Sequence, residues 1–203
     1  MLILEKQPKE ETMSKINPRN GKASAIDRAI IKKILDDSSI ELESRVILGV
    51  AYFTAGRIGE VVQLKVSDIG HTHLVFAKQN TKTKSTRQVL IAPPLRALLD
   101  EYLGTIPVNQ VWLFAGRNIK SRPETHLNKI VAARKLDKIF KMYGLENCSS
   151  HSLRRSILTT AHQLGGTLAD IQQLSGHRTL TSLQAYIASS DKAQEKMLDL
   201  VSW

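Results

Sequence analysis

Cysteine is almost absent from this chain. Cys148 stands alone among 203 residues, which excludes an internal disulfide framework and a cysteine-rich zinc site. Long apolar runs are missing too. The longest, Val46 to Ala55, holds about ten residues including Gly49, too few to span a bilayer. The opening Met1-Leu2-Ile3-Leu4 meets Glu5 and Lys6 at once, so no signal peptide is visible. A Walker loop, a paired-carboxylate cluster and a plausible metal-ligand set are also missing. Apolar residues make up 42% and charged residues 24%, an ordinary globular balance that excludes a collagen or a disordered tail. The expectation is a soluble, cytoplasmic protein of prokaryotic or phage context, without metal or cofactor.

Basic charge is what the sequence has in excess. Lys and Arg number 29 against 19 Asp and Glu, a formal net charge of +10. The excess sits in two blocks. Gly116 to Arg155 holds ten basic and three acidic residues, and Lys78 to Leu99 holds five basic residues and no acid. Two basic blocks on a balanced background point to a polyanionic partner. Charge alone fits a solubilising surface or an RNA-binding protein equally well.

Residues 1 to 23 are polar, contain Pro8, Pro18 and Gly21, and read as an arm or linker. The folded domain is expected over 24–203, with no separate domain visible before it, as in either a naturally minimal protein or an excised domain. Ser24 reads as an N-cap, followed by Ile26, Ile30, Ile31, Ile34 and Leu35 at helical spacing. Further helices are expected from Val46 toward Gly56, around Glu60, after Pro93 and Pro94, from about Thr125 to Tyr143, and over 153–164, 168–174, 182–188 and 192–201. The Thr125–Tyr143 helix is expected to bury Leu127, Ile130, Val131, Leu136 and Ile139. His73 to Ala77 and Gln88 to Ile91 read as a strand pair around a polar tip. The fold class expected is α+β, mostly helical with a small antiparallel sheet.

Several residues stand out, and each alone has an ordinary structural reading. Arg57 and Glu60 are three apart, as an ion pair at a helix start would be. Lys82 and Lys84 lie on the hairpin tip. His151 and Arg154 are three apart, Gly176-His177 reads as a helix C-cap with a turn histidine, and Tyr186 falls among apolar helical residues. Taken in order, these residues resemble the tyrosine recombinases, the phage integrase family. The segment 150–155, Ser-His-Ser-Leu-Arg-Arg, resembles the family's His-x-Leu-Arg-His box. Residues 171–177, Ile-Gln-Gln-Leu-Ser-Gly-His, resemble its Ile-Gln-x-Leu-Leu-Gly-His box. Arg57 to Leu64 resembles its Arg-Ile-Ser-Glu-Leu-Leu-x-Leu segment, and Thr81 to Lys84 followed by Arg87 resembles its hairpin-lysine segment. The resemblance covers about residues 24 to 200.

It implies the catalytic-domain fold of that family and a catalytic set of Arg57, Lys82, His151, Arg154, His177 and Tyr186. Tyr186 is the implied nucleophile, His151 its base, and Lys82, preferred over Lys84, the general acid. Glu60 is read as a buttress. The chemistry explains why such a set is needed. A phosphodiester repels nucleophiles, and in-line attack adds charge to its non-bridging oxygens, which two guanidiniums can hold by charge-assisted bonds. A phenol, with an ordinary pKa of about 10, needs a base or a cationic site to attack. The departing oxygen needs a proton.

The resemblance implies site-specific cutting and rejoining of double-stranded DNA through a 3′-phosphotyrosyl intermediate, without metal or nucleotide. It also implies self-association into a synaptic tetramer, possible through the C-terminal helix, and no membrane. The rival readings are a type IB topoisomerase and a non-catalytic DNA-binding regulator. Two departures from the family pattern stand out. Ala55-Gly56 precedes Arg57 where Gly-Leu is common, and Leu183 replaces a threonine three positions before Tyr186, which reads as packing.

Overall fold

The computed structural model describes residues 23–81, 85–116 and 125–184. Eight α-helices are found there: α1 (Arg28–Asp36), α2 (Leu42–Phe53), α3 (Ile58–Val61), α4 (Pro93–Leu103), α5 (Lys129–Met142), α6 (Ser150–Gln163), α7 (Leu168–Ser175) and α8 (Leu180–Gln184). One antiparallel pair, β1 (His73–Phe76) and β2 (Arg87–Leu90), interrupts them between α3 and α4. The fold class expected from the sequence is the one observed. None of the described helices is long and apolar enough to cross a membrane.

Helix α2 is the central pillar. Its residues from Val46 to Tyr52 are buried on every side, as befits a run apolar all round. It packs against α1, α3, α4, α5 and α6. The core it organises includes Ile34, Ile47, Val50, Leu74, Phe76, Leu99, Phe114, Leu136, Phe140 and Leu153. A second, smaller cluster of Ala55, Leu158, Ile171 and Leu183 joins α6, α7 and α8 to the end of α2. Leu183 is fully buried there, in keeping with its reading as a packing residue.

Three boundaries and faces differ from the sequence reading. Helix α1 starts at Arg28, and its cap is Asp27, whose Oδ1 accepts from the Ala29 N–H at 2.7 Å. Ser24 is not the cap. Its N–H donates to the Asn147 carbonyl at 3.3 Å, and the Ile26 N–H donates to Ser156 Oγ at 2.7 Å. These bonds stretch the segment along α6 and delay the helix. Helix α5 starts at Lys129, capped by Asn128, because Thr125 to Leu127 are drawn into backbone pairing with Phe114 and Gly116. Its buried face is Ala132, Leu136, Ile139 and Phe140. Ile130 is 55% and Val131 41% exposed, since two residues of helix turn the side chain about 200°. The helix expected over 182–188 begins at Leu180, and the one expected over 192–201 lies outside the described residues, as do residues 1–22 of the expected arm.

Strand register decides which side chains enter the core. Leu74 pairs with Val89 and Phe76 with Arg87. Directly opposed residues share a face, so Arg87 stands on the same side as the buried Leu74, Phe76 and Val89.

Candidate active site

The end of α2 and the start of α3 form a tight turn. Thr54 closes α2, and its Oγ1 donates back to the Val50 carbonyl at 2.6 Å. Ala55 then takes the left-handed conformation, φ +49°, which costs a non-glycine residue about 1 kcal/mol. Ala55 is fully buried in the small cluster, and its carbonyl accepts from Arg154 Nη1. The departure noted before Arg57 is therefore a turn held open by packing and one guanidinium. Arg57 follows as the extended N-cap of α3. Its Nη1 donates to Glu60 Oε1 at 2.9 Å, and its backbone N–H donates to Glu60 Oε2 at 3.2 Å. Glu60 is 4% exposed.

Arg154 rises from the second turn of α6, whose start is capped by Ser149. It is among the largest fully buried side chains. Its Nη2 donates to the Ser175 carbonyl at 3.0 Å and lies 3.0 Å from His177 Nε2 and 3.3 Å from Nδ1. The buried guanidinium thus links the α2–α3 turn to the end of α7. Helix α7 stops at Gly176, φ +66°, a left-handed C-cap that suits glycine. The turn aims His177 back at Arg154. Ser175 Oγ meets His177 Nδ1 at 2.7 Å, and Gln172 Nε2 donates to the His177 carbonyl at 2.9 Å. Arginine has only donors, so the His177 nitrogen nearest it, Nε2, is assigned as the acceptor, and Nδ1–H then faces Ser175. Burial, followed by the charges of Arg154, Arg57 and Arg87, lowers the His177 pKa to about 4. At neutral pH the imidazole is uncharged.

A further arginine completes the cluster. Arg87 Nη1 donates to the Thr54 carbonyl at 2.6 Å and to the Leu174 carbonyl. Its Nη2 faces Glu60 Oε2 at 3.6 Å, and its guanidinium lies 4.4 Å over the Phe76 ring. Three guanidiniums therefore surround one carboxylate and a neutral imidazole, an excess of two positive charges. Beside them, a cleft of about 520 Å³ opens between β2 and α7, lined in part by Thr86, Gln88, Gln172, Gln173 and His177.

Of the residues singled out by sequence, the structure brings Arg57, Arg154 and His177 into this one cluster, with Glu60 beneath. His151 is exposed on the first turn of α6, three residues before Arg154. Lys82, Lys84 and Tyr186 lie outside the described residues. Sequence reasoning did not select Arg87 as a site residue. The sequence Arg-Gln-Val-Leu does not alternate polar with apolar, so it carries no signal for Arg87; the strand places Arg87 and Val89 inward and Gln88 and Leu90 outward.

A bundle of helices with a small hairpin, closing on a buried arginine–histidine cluster, defines a class of protein that the comparisons identify. The model of the phage integrase family matches residues 26–193, and the chain belongs to that family. Tyrosine recombinase XerC of Rickettsia typhi is 31% identical over 160 residues, covering 77% of this chain and 50% of the relative. The crystal structure of XerA recombinase superimposes with a TM-score of 0.73 at 22% identity, covering 89% of this chain and 66% of that one. XerH site-specific recombinase bound to a palindromic difH substrate, in a post-cleavage complex, gives 0.69 at 22% identity, covering 85% and 51%. These likenesses show a shared fold. The chain spans about half the length of the curated relatives it matches.

Proposed function

We propose that this chain carries the strand-cutting and rejoining chemistry of a site-specific DNA recombinase. The observation that supports this reading is the arginine cluster: Arg57 and Arg87 on Glu60, beside the buried Arg154 with neutral His177 at 3.0 Å. A phosphodiester carries one negative charge, and its five-coordinate transition state carries two. A pocket with two excess positive charges favours the second over the first, which is the differential binding that catalysis requires. The similarity to recombinases named above favours this reading over a topoisomerase, and nothing in the comparisons favours a DNA-binding regulator.

In the proposed reaction, the oxygen of Tyr186 attacks the scissile phosphorus while His151 takes the phenolic proton. The Tyr186 O–P bond forms and the bond from phosphorus to the 5′-oxygen breaks. Lys82 gives that oxygen its proton. Arg57 and Arg154 hold the non-bridging oxygens, and the His177 Nδ1–H turns from Ser175 Oγ to donate to one of them. The 5′-hydroxyl of a partner strand then reverses each step and joins to the new strand. No electrons change hands and no cofactor is required. Double-stranded DNA would lie over the cluster and along α5, whose outer face presents Lys129, Arg134, Lys138 and Lys141. Assembly into a tetramer on DNA, through residues after Tyr186, completes the proposal, with 24–203 as the catalytic domain and 1–23 as its arm.

The test is covalent trapping. Nicked duplexes carrying candidate sites are incubated with the protein in chelator and resolved on denaturing gels. A protein–DNA adduct that vanishes in Tyr186→Phe supports the proposal. Full activity in Tyr186→Phe overturns it.

A further inference from the structure

Arg87 belongs to the hairpin, yet its guanidinium is spent on other elements. Nη1 is shared between the carbonyl of Thr54, at the end of α2, and that of Leu174, in the last turn of α7. Nη2 faces the carboxylate that also holds Arg57. The Arg87 side chain is only 9% exposed. Burying an unpaired guanidinium is costly, and buried charges are retained where they are paired and hydrogen-bonded. Arg87 therefore closes a triangle whose corners are the turn that presents Arg57, the turn that presents His177, and the strand that begins five residues after Lys82.

Close packing fixes the geometry of this joint. A Cβ at Gly176 would stand 2.9 Å from Arg87 Cδ, so the α7 cap and the Arg87 stem touch with no room between them. On the other side, the guanidinium rests on Phe76, its opposite residue across the strand pair. The planar fork of arginine can bond two carbonyls and face a carboxylate at once, whereas a lysine at this site offers one point charge.

We infer that Arg87 is a positioning residue. It sets the distance between Arg57 and His177, and it shares the charge of Glu60 so that Arg57 remains available to a phosphate. This inference rests on the function proposed above. Arg87 acts through its neighbours: its Nη1 bridges the two turns, and its Nη2 stands beside Glu60. Without it, Glu60 draws Arg57 fully to itself, and the α7 end loses the bond that ties it to the α2 turn.

A neutral linkage separates this role from a merely structural one. A methylphosphonate at the scissile position lacks the non-bridging charge that the arginines are there to hold. Single-turnover adduct formation is measured for wild type, Arg87→Gln and Arg87→Lys on nicked duplexes with a phosphate or a methylphosphonate at that position. DNA affinity by gel shift and thermal unfolding are measured alongside. On phosphate, Arg87→Gln is expected to slow adduct formation by about 10²-fold, the scale of losing one preorganised donor, with DNA affinity little changed. On methylphosphonate the deficit is expected to shrink at least tenfold, and Arg87→Lys is expected to fall between wild type and Arg87→Gln. Equal deficits on both linkages, or a deficit seen wholly as weaker DNA binding, overturn the inference while leaving the proposed function standing. A wild-type chain that forms no adduct on its verified site overturns both.

Discussion

Acidification is expected to destabilise this protein in a window set by His177. The imidazole is 7% exposed and ringed by Arg154, Arg57 and Arg87, and burial with those charges holds its pKa at about 4 against an ordinary 6.5. The unfolded chain therefore binds a proton as pH falls through 6.5, while the native chain refuses it until about 4. Protons bound preferentially by the unfolded state lower stability as pH falls. An interval of about 2.5 pH units amounts to roughly 3 kcal/mol between pH 7.5 and 4. His177→Gln keeps a hydrogen-bonding side chain and removes the titration. Asp37, whose carboxyl is held below its usual range by hydrogen bonds from Ser39 and then Tyr143, also loses stabilisation in acid, but equally in both proteins. Urea unfolding of wild type and His177→Gln from pH 8 to pH 4 isolates the difference. The wild type is expected to lose ground by roughly 3 kcal/mol across the window and no further below it. Two curves that stay parallel from pH 7.5 to pH 4 would refute an uncharged, desolvated His177.

Two other perturbations probe the framework and the DNA face. Gly176→Ala puts a side chain at φ +66° and a methyl against Arg87 Cδ; a cost of about 2 kcal/mol is expected, read as a fall in Tm of roughly 5 °C, with slower adduct formation. Lys138→Gln on the exposed face of α5 is expected to lower the slope of log affinity against log salt by about 0.9 with Tm unchanged. Lys135→Gln on the same helix is expected to act the other way round. Lys135 is committed to Glu41 and Glu43, at 2.8 Å from the latter, so its loss lowers Tm and barely moves the salt slope.

Much of the fold was legible because its signals are local. Pro93 opens α4, Gly176 closes α7, and two short runs either side of a polar tip mark the strands. The misread boundaries have long-range causes. Asp27 caps α1 because Ser156, 130 residues away, has taken the Ile26 N–H. The face of α5 was misjudged by including Ile130 and Val131, whose hydrophobicity gives no information about phase. In the site, Arg57, Arg154 and His177 were legible as motif spacings, and they meet in space. Arg87 was not, because a basic residue after a basic hairpin tip looks like one more solvated charge. Only the register with Phe76 reveals that it points into the core. The left-handed turn at Ala55 was equally hidden, since it is imposed by the bond to Arg154 and by packing against Leu158, Ile171 and Leu183.

The central claim is that a tyrosine near the C-terminus attacks a phosphodiester held by the arginine cluster. The most direct measurement is to digest the trapped protein–DNA adduct with trypsin and locate the modified residue by mass spectrometry. The account predicts an oligonucleotide 3′-phosphate joined to Tyr186, in the peptide between Arg178 and Lys192, with no adduct in Arg154→Ala. Attachment at any other residue, or at a 5′-phosphate, would contradict it.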